Sequence, residues 1–294
     1  MINICHILPT AYLDKITYLK QTKFHLILAH QVLRDKEYVN FYRRQKDAFI
    51  IMDNSAYEYG EALDDTVLEK AIKIVVPNEF VVPDVLFDKN KTISRYYRFI
   101  NKFPIRNRFR LMAVPQGKTF SEWLACYNFF NDKPEISTLG IGQIYSFLDL
   151  FGKRIPTEYV SGREYIFHYL HSKNLINSKK DYHLLGLSSI SPIKELRRLK
   201  KYTRIRSADT SHAYLFSTKK YLFHPPQANY LNDNHFSWRK LSHMQMKSFL
   251  KYFIFPQHQA KPRFVLDFDE RYQPQLSHEI KKNILLLSKA GKIK

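Results

Sequence analysis

Short apolar runs recur along the chain and alternate with longer amphipathic stretches. Eight short runs contain apolar or β-branched residues, and polar residues, Gly or Pro bound each of them. They occupy residues 3–9, 24–30, 48–54, 79–85, 110–117, 137–143, 182–189 and 204–211. Plausible amphipathic helices between them include residues 63–75, 92–103, 119–130 and 191–202. The pattern predicts a strand and a helix in alternation, repeated eight times.

This alternation predicts an α/β fold, a (β/α)8 TIM barrel. Strands that are apolar throughout and alternate with helices are typical of a buried parallel sheet, and eight such units favour closure into a barrel. An open doubly wound sheet is the competing architecture, although neither GxGxxG nor GxxxxGK[ST] occurs in the sequence. We expect residues 1–215 to form the barrel and residues 216–294 to form a helical or irregular C-terminal extension packed on it.

The predicted strands end in polar residues or glycine. In a barrel the carboxyl ends of all strands open onto one face, where functional groups gather. Carboxylates that share a poorly solvated mouth repel one another, and such clusters bind a cation or perform chemistry. For any single Asp, a helix cap or a turn is an equally good explanation, so the joint occurrence carries the interpretation. The strand ends carry His30, Asp53, Asn54, Asp84, Gln116, Gly117, Gly140, Gly142, Gly186, Ser188 and Asp209.

The charge of the chain points to a class of partner. Lys and Arg number 47 against 27 Asp and Glu in 294 residues, which gives a formal net charge of +20. A field of this sign attracts polyanions at long range, so nucleic acid is the leading partner class. A basic surface that serves only solubility is the alternative.

The number and spacing of the cysteines and histidines argue against a metal site and against a disulfide framework. Cys5 and Cys126 are the only cysteines, which favours a reducing cytoplasm. His168 and His171 are three residues apart on a predicted helix, but no third metal ligand is evident. No run of about 18 apolar residues and no signal-peptide pattern occurs, so we expect no membrane partner.

Taken together, the strand ends resemble one enzyme family. DNSAYE, VPD, VPQG, LGIG, LLGL and RSADTS follow one another at the ends of strands three to eight. In this order they resemble the tRNA-guanine transglycosylase family, and more closely its phage and bacterial relatives that place 7-deazaguanine bases in DNA. The similarity covers about residues 1–215. Members of this family are pentosyltransferases that exchange a guanine in a polynucleotide for a 7-deazaguanine without breaking the strand.

The resemblance implies roles for individual residues. Asp209 would be the nucleophile that attacks C1′ and holds a covalent intermediate, and Asp53 would be the general acid/base. Asp84 and Gln116 would read the amide and amino edge of the base. This assignment suits the chemistry, because cleaving an N-glycosidic bond needs one carboxylate facing the sugar and another group that handles a proton. The base pocket would be lined by Gly140, Ile141, Gly142 and Gly186.

Two departures from the family pattern refine these expectations. The tRNA enzymes carry a Cys-rich zinc site near the C-terminus, whereas no Cys follows Cys126 here. We therefore predict no zinc and no other cofactor, and we favour DNA over tRNA as the polymer, with the free 7-deazaguanine base as the second substrate. The turn DNSA replaces a DSGG-type turn and leaves Ser55 and Ala56 where the family has glycine. The alternatives are a tRNA enzyme and a non-catalytic nucleic-acid-binding barrel.

Basic segments that leave strands at the carboxyl face are candidates for phosphate contacts. The segment 151–163 offers Lys153 and Arg154, and the segment 217–240 mixes cations with aromatic rings, as clamping of phosphates and stacking of bases require. A packed C-terminal cap would have a similar composition. The basic residues at 106–110 and 200–206 lead into strands and are expected at the opposite end of the barrel. The residues of the mixed segment are Lys219, Lys220, Arg239 and Lys240 with Tyr221, Phe223, Phe236 and Trp238.

Overall fold

The protein folds into a nearly closed barrel of eight parallel strands. The computed structural model describes residues 2–14, 19, 22–103, 108–146, 149–151, 153–187, 192–211, 280–282 and 284–285. The strand order is β1-β10-β9-β6-β5-β4-β3-β2, and β1 and β2 lie side by side at the seam. The predicted (β/α)8 barrel and its eight strands are confirmed. The barrel strands are β1 (Asn3–His6), β2 (Phe24–Leu28), β3 (Phe49–Asp53), β4 (Glu79–Val81), β5 (Arg110–Ala113), β6 (Ile136–Ile141), β9 (Asp181–Leu184) and β10 (Ile205–Thr210).

Helices connect the strands and surround the barrel. Among them, α5, α6, α7 and α9 confirm the helices expected at residues 63–75, 92–103, 119–130 and 191–202. A two-stranded antiparallel ribbon, β7 (Asp149–Leu150) with β8 (Lys153–Arg154), follows β6. None of the helices in the described ranges is long and apolar enough to cross a membrane. The helices are α1 (Thr10–Leu13), α2 (Ala29–Arg34), α3 (Lys36–Arg43), α4 (Ala56–Tyr59), α5 (Asp65–Val75), α6 (Lys89–Lys102), α7 (Phe120–Asn131), α8 (Gly162–Ser172) and α9 (Pro192–Leu199).

Polar side chains cap the helices where the sequence has Asp, Ser or Thr ahead of an apolar periodic stretch. The side chains of Asp64, Asp88, Thr119 and Ser161 each accept a hydrogen bond from a backbone N–H in the first turn of the following helix. These bonds satisfy donors that the helix itself leaves unpaired. The loops between strand and helix are therefore held at defined points.

Apolar side chains fill the barrel below its mouth. The buried residues of this interior cluster are Cys5, Leu26, Leu28, Ile51, Val81, Met112 and Val114. At the amino end of the barrel the interior side chains are charged. Glu79 is fully buried, pairs with Arg206 and accepts a hydrogen bond of 2.5 Å from Thr138. A charge buried at this depth is stable only when it is paired. The groups able to reach a ligand in the barrel therefore lie at its carboxyl end.

Two residues near the C-terminus pack on the barrel. Ile280 and Ile284 are helical, fully buried and part of the main core between strands and helices. Of the expected extension, residues 216–279, 283 and 286–294 lie outside the described residues, and so does its predicted boundary near residue 215.

Candidate active site

The end of β3 is a tight polar turn. Asp53 is the last residue of the strand, and its Oδ2 accepts a hydrogen bond of 2.9 Å from the backbone N–H of Ser55. Asn54 Oδ1 accepts one of 2.9 Å from the N–H of Ala56. Ser55 has φ 66°, in the left-handed region that residues with a Cβ seldom adopt. The turn ends the strand abruptly and starts α4, which carries Glu58.

His30 supports this turn from the neighbouring strand. The structure puts His30 in the first turn of α2, just past the end of β2, and buries it. Its Nδ1 lies 2.9 Å from Ser55 Oγ, which also accepts a hydrogen bond of 3.3 Å from the His30 backbone N–H. Burial, with a smaller contribution from Arg34, lowers the pKa of His30 to about 4. At neutral pH this imidazole is uncharged and holds Ser55 in its strained conformation.

Asp84 and Gln116 form one hydrogen-bonded network with Asn54. The two oxygens of Asp84 accept hydrogen bonds of 2.6 Å, one from Asn54 Nδ2 and one from Gln116 Nε2. Gln116 Oε1 in turn accepts from the Phe87 N–H and the Tyr145 hydroxyl, both at 3.1 Å. Burial raises the pKa of Asp84 to about 6, although the two amide donors oppose this rise. The amide orientation of Gln116 is therefore fixed, since Oε1 faces two donors.

Asp209 is held from one side only. It lies on β10 and is 5% exposed. Its Oδ1 receives both the Gly186 backbone N–H, at 3.0 Å, and His183 Nε2, at 3.1 Å. Within the part of the chain that the structure describes, these are the hydrogen bonds of Asp209, so Oδ2 accepts none. One carboxylate oxygen is anchored and the other remains available.

His183 connects Asp209 to the barrel interior. Its ring is fully buried, and its Nδ1 lies 2.7 Å from Ser207 Oγ. Because a carboxylate oxygen only accepts hydrogen bonds, the contact with Asp209 needs a proton on Nε2, and Ser207 Oγ is the partner of the other ring nitrogen. His183 is therefore a positioning residue for Asp209. Its place in the predicted seventh strand gave no sign of this role.

A glycine at position 186 is required by this arrangement. Gly186 has φ +66°, and a Cβ there would lie 2.5 Å from Gln143 Oε1. Any other residue would be strained at this φ, and its Cβ would require the Gln143 side chain to move. Gly186 was predicted to line the base pocket, and the structure makes its N–H a partner of Asp209.

Four carboxyl groups influence one another at the mouth. Burial raises the pKa of Asp53 well above its ordinary value, and repulsion from Glu58, Asp84 and Asp209 adds to the rise. Burial also raises the pKa of Glu58 to about 7, with a further contribution from Asp209. The structure thus brings the predicted Asp53, Asp84 and Asp209 into one site and adds Glu58, which sequence reasoning missed. Glu58 follows Asp53 by five residues on a four-residue helix, a spacing that carries no recognisable signal.

The described residues of the mouth form no arrangement of side chains typical of a metal site. Within the described ranges, no group of three or more His, Cys, Asp and Glu side chains is placed to hold a metal ion. The helical His168 and His171 instead pack against the ring of Tyr202, at 5.7 and 5.9 Å between ring centroids.

The remaining predicted residues lie in three kinds of place. A Cβ on Gly140 would meet Leu185 Cδ1 at 2.8 Å, and the carbonyl groups of Ile141 and Gly142 accept backbone hydrogen bonds of 3.1 Å. Their contact with a base stays a prediction. Lys153 and Arg154 have their backbone in β8, and their side chains are outside the described part. Lys219, Lys220, Arg239 and Lys240, with the aromatic residues of segment 217–240, lie outside the described residues.

Comparison of the chain with protein families and curated proteins found no match. Its function therefore has to be inferred from the residues themselves.

Proposed function

We propose that this protein is a base-exchanging transglycosylase that replaces guanine in DNA with a 7-deazaguanine through a covalent nucleotide on Asp209. One observation carries the proposal. A carboxyl group that favours its protonated form, Asp53, shares the barrel mouth with a second carboxyl, Asp209, anchored by one oxygen only. The motifs at the strand ends, which resemble those of the tRNA-guanine transglycosylase family, support the same chemistry.

The Asp209 carboxylate suits attack at C1′ of the nucleotide. The donors at Gly186 and His183 fix Oδ1, and Oδ2 is left to approach the sugar. Orientation of this kind lowers the barrier because little freedom is lost as the bond forms. The base departs with the electron pair of the glycosidic bond and needs a proton. Burial raises the pKa values of Asp53 and Glu58, so the protonated form of each is favoured, and a carboxyl group of this kind can supply that proton.

Asp84 and Gln116 suit recognition of a guanine-like edge. That edge presents the N1–H and amino donors, which Asp84 can accept, and a carbonyl oxygen, to which an amide N–H can donate. Asp84 already accepts two amide N–H groups. Each oxygen of the Asp84 carboxylate has a second lone pair. Asp84 can therefore also accept hydrogen bonds from the N–H groups of the base, which are donors like the amides of Asn54 and Gln116.

The basic charge of the chain favours a polynucleotide as the acceptor. A net charge of +20 attracts DNA or RNA, and a base inside a duplex would have to be flipped out to reach the mouth. A tRNA substrate is the alternative within this class. A barrel that only binds nucleic acid is disfavoured, since the carboxyl groups at the mouth would repel phosphates.

The first prediction is exchange of a labelled base into an intact strand. The purified protein should incorporate labelled guanine or a labelled 7-deazaguanine into DNA, and Asp209→Asn should abolish this incorporation. Asp53→Asn should lower its rate by about 10²–10⁴-fold, the usual range for loss of acid/base catalysis, because Asp53 is one of the neighbouring carboxyl groups that handle the proton. Parallel reactions with DNA and tRNA decide between the two polymers.

Asp47→Asn provides the matched control. Asp47 is exposed in the turn that leads into the amino end of β3, the strand that ends on Asp53. This variant should exchange at the wild-type rate. Wild-type protein that transfers no label into either polymer would refute the transglycosylase assignment, and full activity in Asp209→Asn would remove the nucleophile from its role.

A further inference from the structure

The carboxyl group of Glu58 differs from the others at the mouth in its hydrogen bonding. Its Oε2 is buried, and within the described part of the chain it has no hydrogen-bond partner. Asp53 accepts from the Ser55 N–H, Asp84 from two amides, and Asp209 from Gly186 and His183. A buried polar oxygen without a donor is costly, so such atoms in native proteins often mark functional groups.

The surroundings of Glu58 disfavour its charged form. Asp53 and Asp209 repel it from the ends of β3 and β10, and no ion pair within the described ranges includes Glu58. Tyr57 on its own helix and Tyr38 on α3 are the other titratable groups that interact with it. Burial and the negative neighbours therefore act together. Because Asp53 and Glu58 repel each other, loss of the proton from one makes loss of the proton from the other less favourable.

Within this pair Glu58 is the better placed to touch a base. Asp53 ends the strand, and one of its oxygens belongs to the turn through the Ser55 N–H. Glu58 is half-buried on α4, the helix that follows this turn, and its neighbours in sequence, Tyr57 and Tyr59, are exposed. Its Oε2 has no such structural partner.

We infer that Glu58 is the catalytic acid and base of the exchange, with Asp53 as the partner that keeps its proton in place. The inference rests on the proposed transglycosylase function. An Asp209 oxygen bonds to C1′ as the bond from C1′ to guanine N9 breaks. The electron pair stays on the guanine ring, and the Glu58 carboxyl gives that ring its proton. The guanine leaves as a neutral base.

The second half of the exchange restores the site. The incoming 7-deazaguanine gives its N9 proton to the Glu58 carboxylate, and N9 uses the freed electron pair to bond to C1′. The bond between C1′ and Asp209 breaks, and its electrons return to the Asp209 carboxylate. One proton has left Glu58 and one has come back, so the pair is ready for another cycle.

The test varies the leaving base together with the residue. Glu58→Gln is measured on DNA that carries guanine at the target position and on DNA that carries 8-azaguanine there, whose ring anion is stable enough to leave without a proton. With guanine the variant should lose about 10²–10⁴-fold in exchange rate, and with 8-azaguanine roughly tenfold or less. A merely structural role would reduce both reactions equally.

Two further variants complete the design. Glu69→Gln makes the same chemical change on α5, where Glu69 pairs with Lys73 on an outer helix, and should exchange both bases at wild-type rates. Glu58→Asp keeps an acid one methylene shorter and should retain more guanine exchange than Glu58→Gln. This comparison remains informative if Glu58→Gln folds poorly. If Glu58→Asp is folded by circular dichroism and loses as much guanine exchange as Glu58→Gln, the result counts against Glu58 as the catalytic acid and base.

The outcomes separate the two proposals. If the wild-type protein exchanges bases while Glu58→Gln matches it, or loses both target bases to the same degree, the role of Glu58 is overturned and the transglycosylase stands. If the wild-type protein exchanges no base into DNA or tRNA, the proposed function fails and the role of Glu58 fails with it.

Discussion

At the scale of single residues, Glu58 has a consequence for stability that does not depend on any substrate. Burial and Asp209 raise its pKa from 4.5 to about 7 in the folded protein. The folded state therefore binds more protons than the unfolded state across this range. The contribution of Glu58 to the unfolding free energy is fully present below pH 4.5 and is lost as the pH rises through 7. The reason is that the charged form of Glu58 is disfavoured only in the folded protein.

We predict that Glu58→Gln stabilises the protein at high pH and not at low pH. The amide cannot ionise, so it removes the penalty that the wild-type protein acquires above its folded pKa. The gain in unfolding free energy should be near zero at pH 4 and reach about 1–2 kcal/mol at pH 8, after allowance for partial solvent exposure. Urea unfolding of both proteins at several pH values measures it.

An equal difference at all pH values would show that the effect comes from packing rather than from ionisation. Asp53 and Asp84 also have raised pKa values and contribute to the same trend, so the pH dependence should shrink in the variant without vanishing. Gain of stability on loss of a charged group is expected where function requires that group.

At the scale of elements, a buried ion pair ties α8 and α9 to the loop that supports Asp209. Arg163 on α8 and Glu195 on α9 are both fully buried, and Arg163 donates to the two Glu195 oxygens at 2.9 and 3.0 Å. Arg163 also donates to the carbonyl groups of Leu185 and Gly186, both at 3.1 Å. The same guanidinium therefore joins two helices and fixes the backbone that presents the Gly186 N–H.

We predict that Arg163→Met destabilises the protein by about 3–5 kcal/mol, because it leaves Glu195 buried and unpaired. The double variant Arg163→Met with Glu195→Leu should be less destabilised than Arg163→Met alone. Chemical denaturation measures both. Lys73→Met, which breaks the exposed pair with Glu69, serves as the control and should change stability by about 0.5 kcal/mol or less. A double variant no more stable than Arg163→Met would show that the charge of Glu195 is not the cause.

At the scale of the whole molecule, the net charge of +20 makes binding to nucleic acid depend on salt. Each phosphate neutralised by a cation releases counterions, so the logarithm of the affinity falls linearly with the logarithm of the salt concentration. We predict that Lys219→Ala with Lys220→Ala lowers the magnitude of this slope by about 1 to 2 for a DNA strand.

The matched control replaces two cations at the amino end of the barrel. Lys201 and Arg204 are exposed and lie before the amino end of β10. Lys201→Ala with Arg204→Ala should leave the slope unchanged, and titrations by fluorescence anisotropy at several salt concentrations measure both double variants. A larger effect from the second pair would place the polynucleotide away from the carboxyl end.

Most of the fold was predictable from the sequence because its signal is local. A buried parallel strand needs an apolar run, and an outer helix needs one apolar stripe, so alternation of the two patterns is visible without any tertiary information. Asp53 shows this clearly, since the apolar run before it is β3 and the strand ends on that residue. The position of Asp84 beyond β4 and of Asp209 near the end of β10 follows from the same rule.

The partners within the site were not predictable, because they come from residues far apart in the chain. His183 reaches Asp209 across 26 residues, and Gln116 reaches Asp84 across 32. Glu58 is close to Asp53 in sequence, but whether its Oε2 has a donor depends on the residues around the mouth, and none of the described residues donates to it. By itself the sequence determined the barrel and the carboxylates at its strand ends, since strand and helix periodicity are properties of neighbouring residues. Only the tertiary structure decided which carboxyl is anchored, which have raised pKa values and which has a buried oxygen without a partner among the described residues, because burial, repulsion and hydrogen bonding arise when distant strands meet.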